Sequence, residues 1–279
     1  MRRFLLLAAV ALIVPALPAR ASYYYHLAHY RPLPEAPEGT SHILTQMKLA
    51  MKDGMDAYLS AADATLRDAA VTTPAVRQAI QTCAAMARVT RMEGADVAAE
   101  LVKLYDADGT SKLALIHYLP DFLDATPPGQ RLAVIDAVQK RAEADGLFAK
   151  HNYALTYDMA RVVTLAMAGD VEKTIAALEA VVHNAAPGYF DSFRTSARNS
   201  RISWPYVPRR HELSAKATPE QLERLAAVQQ AWAGIVEAKA GFKTEAFVTS
   251  TQLRTAANET RRLGQVKRAA LEAAAKMAE

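Results

Sequence analysis

The stretch that says most about the fold is residues 152–187, with the sequence NYALTYDMARVVTLAMAGDVEKTIAALEAVVHNAAP. Gly169 and Asp170 separate two segments in which apolar residues recur at helical spacing. Ile175 and Leu178 lie on the apolar face of the second segment. Pro187 follows this segment and marks its end, because a helix interior does not tolerate proline. The stretch therefore predicts two helices joined by a tight turn.

Related units recur on the N-terminal side of this stretch. Gly54, Gly94, Gly129 and Gly169 are 40, 35 and 40 residues apart, and an amphipathic helical segment follows each of them. Helix–turn–helix units at a fixed period are typical of an α-solenoid or an αα-hairpin array, in which each unit buries its apolar face on the next. An irregular helical bundle also needs glycines at its turns, so both arrangements remain open for residues 41–187.

Residues 152–187 also resemble a single tetratricopeptide repeat. The turn at Gly169, the apolar positions Ile175 and Leu178, and the closing Pro187 carry the resemblance. Thr174 departs from the pattern, because the family usually has alanine there. The resemblance covers 36 residues and implies a helical scaffold whose concave face binds peptides or proteins without catalysis.

The apolar spacing in the rest of the chain also predicts helices, and no stretch alternates polar and apolar residues as a strand does. The predicted fold class is therefore all-α. Thr218 and Gln221 form a capping-box pattern at the start of the C-terminal helical region, residues 215–279. This region contains helices predicted at 219–240 and 244–278. The second is long and has a narrow apolar seam, so it either lies over the body or pairs with a partner. The seam consists of Leu253, Ala256, Leu263, Val266, Ala270 and Met277.

Residues 1–21, MRRFLLLAAVALIVPALPARA, have the three parts of an export signal. Arg2 and Arg3 precede an apolar run that is too short to span a membrane comfortably, since a span needs roughly 20 residues. General secretion fits this short leader better than the twin-arginine route. We expect cleavage before Ser22, a periplasmic or secreted product, and no transmembrane span in the mature chain.

The net charge and the cysteine count narrow the classes of partner and of site that are expected. The net charge of +4 falls to +1 once the three arginines of residues 1–21 are removed (4 − 3 = 1), so the mature chain is nearly neutral. Nucleic acid is not an expected partner of such an exported chain. The one cysteine, Cys83, excludes an intramolecular disulfide. It shares a helix face with Val76, Ile80 and Ala87, which predicts a buried structural thiol.

Residues 22–40, SYYYHLAHYRPLPEAPEGT, form an aromatic and proline-rich N-terminal arm. Its prolines predict an extended spacer. The candidate binding residues are Tyr23, Tyr24 and Tyr25, which follow the expected cleavage site directly. They pack on their own chain, dock on a partner or the envelope, or stay disordered, and the sequence leaves these three readings open.

Residues 188–214 interrupt the helical rhythm and combine arginines with aromatic residues. Arginine binds carboxylates and phosphates through two parallel hydrogen bonds, and arginine and aromatic residues dominate many interface hot spots. The segment is either a recognition surface, with an anionic polysaccharide as one possible ligand, or a loop whose aromatics pack on the body. The candidate binding residues are Arg194, Arg198, Arg201, Trp204, Tyr206, Arg209 and Arg210.

The chain carries no sequence motif of a nucleophilic enzyme, a phosphate-binding loop or a dinucleotide site. A calcium loop beginning at Asp106 would require glycine at its sixth position and glutamate at its twelfth, but these positions are Ser111 and His117. We therefore expect no catalytic residues, no metal and no cofactor. The sequence predicts an exported, non-catalytic scaffold or adaptor with an envelope protein as its partner. The alternatives are an envelope hydrolase or lyase with its site in the helical concavity, and a binder of anionic cell-surface polymers.

Overall fold

The computed structural model describes residues 33–68, 71, 73–190, 209–238 and 250–278. Within these residues the secondary structure is helical and contains no strand, so the all-α prediction is confirmed. The α-helices are α1 (Thr40–Leu49), α2 (Met55–Arg67), α3 (Pro74–Val89), α4 (Val97–Asp106), α5 (Lys112–Phe122), α6 (Arg131–Ala144), α7 (Leu147–Lys150), α8 (Ala154–Ala168), α9 (Val171–Val182), α10 (Arg210–Lys216), α11 (Pro219–Ala238) and α12 (Ser250–Ala278). Two short 3₁₀ helices span Ala50–Asp53 and Pro128–Gln130.

The helices pack in an order that follows the chain. Helix α3 contacts α2, α4 and α5, α4 contacts α6, and α6 contacts α8. The series continues from α8 to α9, from α9 to α11, and from α11 to α12. One hydrophobic core runs through these contacts, from Leu33 to Leu253. This order is compatible with a regular array and with a bundle, so the repeat arrangement stays a prediction.

The turn at Gly169 has the geometry that the sequence predicts. Gly169 ends α8 in the left-handed region with φ of 78°, where glycine has no steric penalty. Its N–H donates to Ala166 O at 3.0 Å, and the N–H of Asp170 donates to Leu165 O at 3.2 Å. The Asp170 carboxylate then accepts a hydrogen bond from the N–H of Lys173 and caps α9. This unit of the sequence is therefore a true helical hairpin.

The other predicted turns differ in detail. Gly54 and Gly94 also have positive φ and precede α2 and α4, whereas Gly129 lies in the second 3₁₀ helix without a positive φ.

The predicted capping box is present, because Gln221 N–H donates to Thr218 Oγ1 and Thr218 N–H donates to Gln221 Oε1. Its helix, α11, begins at Pro219.

Two predicted irregular regions contain more structure than expected. The proline-rich spacer is not extended over residues 33–39, because Ala36 N–H bonds to Leu33 O and Thr40 N–H bonds to Pro37 O, closing two turns. Leu33 is buried and anchors the first turn to the core. The predicted 188–214 connection also contains the start of α10 at Arg210.

A proline inside α5 is compensated by a neighbouring helix. Pro120 has no N–H, so it cannot donate to the carbonyl of Ile116 four residues earlier. The hydroxyl of Tyr157 on α8 donates to this carbonyl instead, at 3.0 Å, and the bond is buried. The exchange satisfies the carbonyl and joins α5 to α8.

The predicted seam of α12 lies against the body only at its N-terminal end. Leu253 is buried, but Leu263, Val266 and Met277 are exposed. The face that meets α11 carries Ala257 and Gly264 instead. A Cβ on Gly264 would lie 3.3 Å from Pro219 O, so the small residue permits the close approach of the two helices. Close backbone approach, not side-chain size, selects the buried face.

Candidate functional site

Most of the sequence-predicted binding residues lie outside the described residues. These are Arg194, Arg198, Arg201, Trp204 and Tyr206, together with Tyr23, Tyr24 and Tyr25. Tyr189 and Phe190, at the start of the same connection, are described and pack inward. The Tyr189 hydroxyl donates to Asp158 Oδ2 at 2.6 Å, and the Phe190 ring meets Trp232 on α11. The connection therefore begins against the body.

Arg209 is held by contacts within the chain. Its Nη1 donates to Met167 O at 2.7 Å, and its Nε and Nη2 donate to the two carboxylate oxygens of Glu212. Arg209 has a φ of 57° and directly precedes α10, so these bonds fix the start of α10 beside the end of α8. The neighbouring Arg210 donates from Nε to His211 Nε2 at 3.2 Å. Binding by these two arginines stays a prediction, and for Arg209 it would require new hydrogen-bond geometry.

The structure brings together a polar cluster that the sequence did not predict. Lys48 of α1, Tyr58 of α2, Cys83 of α3, and Tyr118 and Asp121 of α5 line one buried cavity. Lys48 and Asp121 form an ion pair with side chains only 3% and 1% exposed. A sequence signal existed, because Asp121 lies in the last turn of an otherwise mostly apolar helix, KLALIHYLPDF. A carboxylate in such a helix needs a buried partner.

Burial governs the protonation of this pair. Removal from water raises the pKa of Asp121 to about 6, although the Lys48 ammonium group opposes the shift. The same burial lowers the pKa of Lys48. Within the described part of the chain, Asp121 Oδ1 accepts no hydrogen bond. The carboxyl group can therefore hold a proton at mildly acidic pH.

The thiol and the phenols of the cluster are poor nucleophiles. Burial raises the pKa of Cys83 to about 12, so its sulfur remains a protonated thiol at neutral pH. This agrees with the buried, structural thiol that the sequence predicts. Burial also raises the pKa of Tyr58 and of Tyr118 well above the ordinary value. None of these three groups is activated by ionisation.

The size of the cavity limits what the cluster can do. Leu44, Met51 and Phe122 complete its walls, and its volume is about 10 Å³. Such a volume is about enough for one water molecule, not for an organic substrate. The arrangement suits a structural ion pair that holds α1 against α5 and titrates in acid.

A second candidate site is an apolar stripe on the outward face of α12, hereafter the α12 stripe. Its members recur three and four residues apart and are all exposed: Leu263, Val266, Ala270, Ala273 and Met277. Val266 is 60% exposed and Met277 is 89% exposed. Exposed apolar side chains aligned on one helix face indicate an interaction surface more than scattered ones do.

Contacts at the middle of α12 fix the direction of the stripe. Lys267 Nζ donates to the carbonyl oxygens of Ser214, Ala215 and Ala217, at 3.0, 2.7 and 2.8 Å, near the end of α10. Gly264 sits against the first turn of α11. Residues 269–277 are all exposed, so the last turns of α12 extend beyond α11 for about 15 Å.

Leu271 is a further apolar residue at this end of the helix, and it lies outside the α12 stripe. It continues the α11-facing series of Leu253, Ala257 and Gly264, yet it is exposed because α11 begins at Pro219 and does not reach it. The end of α12 therefore presents the α12 stripe and the uncovered end of the α11 contact together.

Among the helices that the structure describes, none has both the length and the apolar composition needed to cross a bilayer. Comparison with known proteins found no matching family model, no similar curated protein and no similar solved structure.

Proposed function

We propose that this protein is an exported, non-catalytic helical scaffold or adaptor that binds a protein partner in the bacterial cell envelope. One observation carries the proposal: the exposed α12 stripe, which extends beyond the body on a helix whose other face is fixed by Gly264 and Lys267. A helix that is already formed presents its uncovered apolar face to a partner, so less ordering is required on binding than for an unstructured segment.

The remaining parts of the proposal rest on sequence. The glycine-spaced hairpins from Gly54 to Gly169 support a repeat-like scaffold, which the α8–α9 hairpin exemplifies. Residues 1–21 support export, and N-terminal sequencing of the exported protein should begin at Ser22. An unprocessed product that stays in the cytoplasm would refute the export step.

Two alternatives from the sequence have weaker support. A hydrolase or lyase needs room for a substrate beside activated groups, whereas the Lys48–Asp121 cavity has about 10 Å³ and a protonated thiol. Of the arginines predicted to bind an anionic polymer, the structure describes Arg209 and Arg210, and Arg209 already binds Glu212 and Met167. The adaptor proposal accounts for more of the described surface.

The test compares two adjacent substitutions on α12. Val266→Asp places a charge on the α12 stripe, and Gln265→Asp places the same charge on an exposed position away from it. Wild type and Gln265→Asp should capture the same stoichiometric protein from an envelope extract, and Val266→Asp should lose it. Equal capture by all three forms would remove the stripe from the proposed function, and recovery of glycan alone would favour the polymer alternative.

A further inference from the structure

The α12 stripe has the spacing of a coiled-coil seam. From Leu263 to Met277 its positions alternate by three and four residues, which matches the a and d positions of a heptad repeat. Two of its central positions are alanines, Ala270 and Ala273. Small residues allow another helix to approach closely, while the larger Leu263, Val266 and Met277 supply the apolar contact. The seam is therefore suited to packing against another helix.

The charges beside the seam are predominantly basic. Residues 261–278 contain five basic residues and one acidic residue, Glu272. Lys267 binds the α10 carbonyls, Arg261 binds Glu223, and Arg268 binds Glu220. These three cations are therefore already compensated within the chain.

Arg262 and Lys276 remain available for a partner. They lie two heptads apart at the same position beside the seam, and neither forms an ion pair with a residue that the structure describes. Glu272 lies on the opposite face by helical geometry. Glu259, one turn before Leu263, is the acidic group on the seam side and marks its N-terminal limit.

We propose that the α12 stripe binds an amphipathic helix of the partner protein whose apolar seam is flanked by acidic residues. The inference rests on the proposed adaptor function and names the chemistry of its partner. Acidic flanks would pair with Arg262 and Lys276, and such flanking charges set partner choice and orientation in coiled coils.

Two other occupants fit less well. A second copy of this chain would bring Arg262 and Lys276 beside the same basic residues, and Glu272 would face away from the contact. A lipid surface favours helices with Trp, Phe or Leu along the buried face. The stripe has no aromatic residue, and two of its five members are alanines.

Two designed peptides test the partner chemistry on the purified protein. Each is an amphipathic helix of about three heptads with leucine at a and d. One has glutamate at e and g, which also prevents it from pairing with itself, and the other has lysine there. The acidic peptide should bind about tenfold more tightly than the basic peptide in fluorescence anisotropy, equivalent to about 1.4 kcal/mol.

Variants identify the residues responsible. Val266→Asp should abolish binding of both peptides, while Gln265→Asp should retain it. Replacing both Arg262 and Lys276 by glutamate should reverse the preference between the peptides. Because all four residues are at least partly exposed, circular dichroism should show unchanged helix content in every variant.

Several results would overturn the inference. They are equal binding of the two peptides, failure of both to bind, a Val266-dependent dimer in sedimentation, and Val266-dependent binding to phosphatidylglycerol vesicles. If envelope capture still depends on Val266 while the acidic peptide fails, the partner chemistry is wrong and the adaptor function stands. If capture is also independent of Val266, both proposals fail.

Discussion

Two lysine–aspartate ion pairs of this protein, one buried and one at the surface, have opposite effects on the pKa of the carboxyl group. Inside the body, Lys48 and Asp121 are almost completely buried, and burial raises the pKa of Asp121 to about 6. On the surface, Asp145 accepts hydrogen bonds from Lys112 Nζ at 2.8 Å and Arg141 Nη1 at 2.5 Å. These bonds lower the pKa of Asp145 to about 2.

The difference shows that an ion pair has no fixed energetic value. At the surface, water already solvates both charges, so pairing adds little to stability. In the interior, the loss of hydration offsets much of the attraction, yet removing one partner leaves the other charge buried. The Lys48–Asp121 pair is therefore costly to break without being a large net source of stability. What it contributes is the position of α1 relative to α5.

Breaking the buried pair should have the largest effect. Asp121→Ala removes the carboxylate beside a buried ammonium group, and we expect a loss of about 3–5 kcal/mol in the free energy of unfolding. Chemical denaturation at neutral pH measures it, with Asp145→Ala as the surface control. A loss no greater than that of the control would contradict the comparison.

The pH dependence should be the next largest effect. The folded protein holds the Asp121 proton more tightly than the unfolded chain, so this group stabilises the fold below about pH 4. That contribution is lost as the pH rises through about 6. Wild type should gain roughly 1–3 kcal/mol relative to Asp121→Asn between pH 7 and pH 4.5. Parallel pH curves for the two proteins would refute a raised Asp121 pKa.

Removing the Asp145 charge, which pairs with Lys112 and Arg141 at the surface, should have a weak effect on stability. This effect should change with pH in a more acidic range than that of Asp121. The lowered pKa of Asp145 means that its contribution is present above about pH 4 and is lost as the pH falls through about 2. Asp145→Asn should therefore reduce the melting temperature slightly at neutral pH, with the difference from wild type disappearing in strong acid. A larger loss of stability than that of Asp121→Ala would contradict the comparison between the buried and the surface pair.

The smallest effect should follow when both buried charges are replaced together. Lys48→Met combined with Asp121→Leu exchanges the pair for apolar side chains, and such replacements are often neutral or stabilising. We expect the double variant to unfold within about 1 kcal/mol of wild type. If it loses as much as Asp121→Ala alone, the ion pair itself supplies the stability, and the loss in Asp121→Ala does not come from the unpaired charge of Lys48.

Local features of the fold could be predicted from sequence because their causes are local. Glycine at 169, the capping box at Thr218 and the burial of Cys83 each follow from residues within one or two turns. The Lys48–Asp121 pair joins residues 73 positions apart (121 − 48 = 73), so no local pattern specifies the partner. Asp121 alone carried a signal, as a charge in an apolar helix.

The sequence leaves open whether the body or a partner covers the α12 seam. Hydrophobicity selects Leu263, Val266 and Met277 for this seam, but it does not say what covers them. The structure buries Ala257 and Gly264 instead, because the backbones of α11 and α12 approach closely there. The larger seam residues stay outside, where they form the candidate interface.

The proline of α5 has a consequence for how the protein opens. Since the Ile116 carbonyl depends on the Tyr157 hydroxyl, the last turn of α5 completes its hydrogen bonding only when α8 is docked. Amide protons in these two helices should exchange with solvent as one cooperative unit, close to the free energy of global unfolding. The final turns of α12 have no such tie to the body. Their amides should exchange independently and far faster, and a bound helix would slow them.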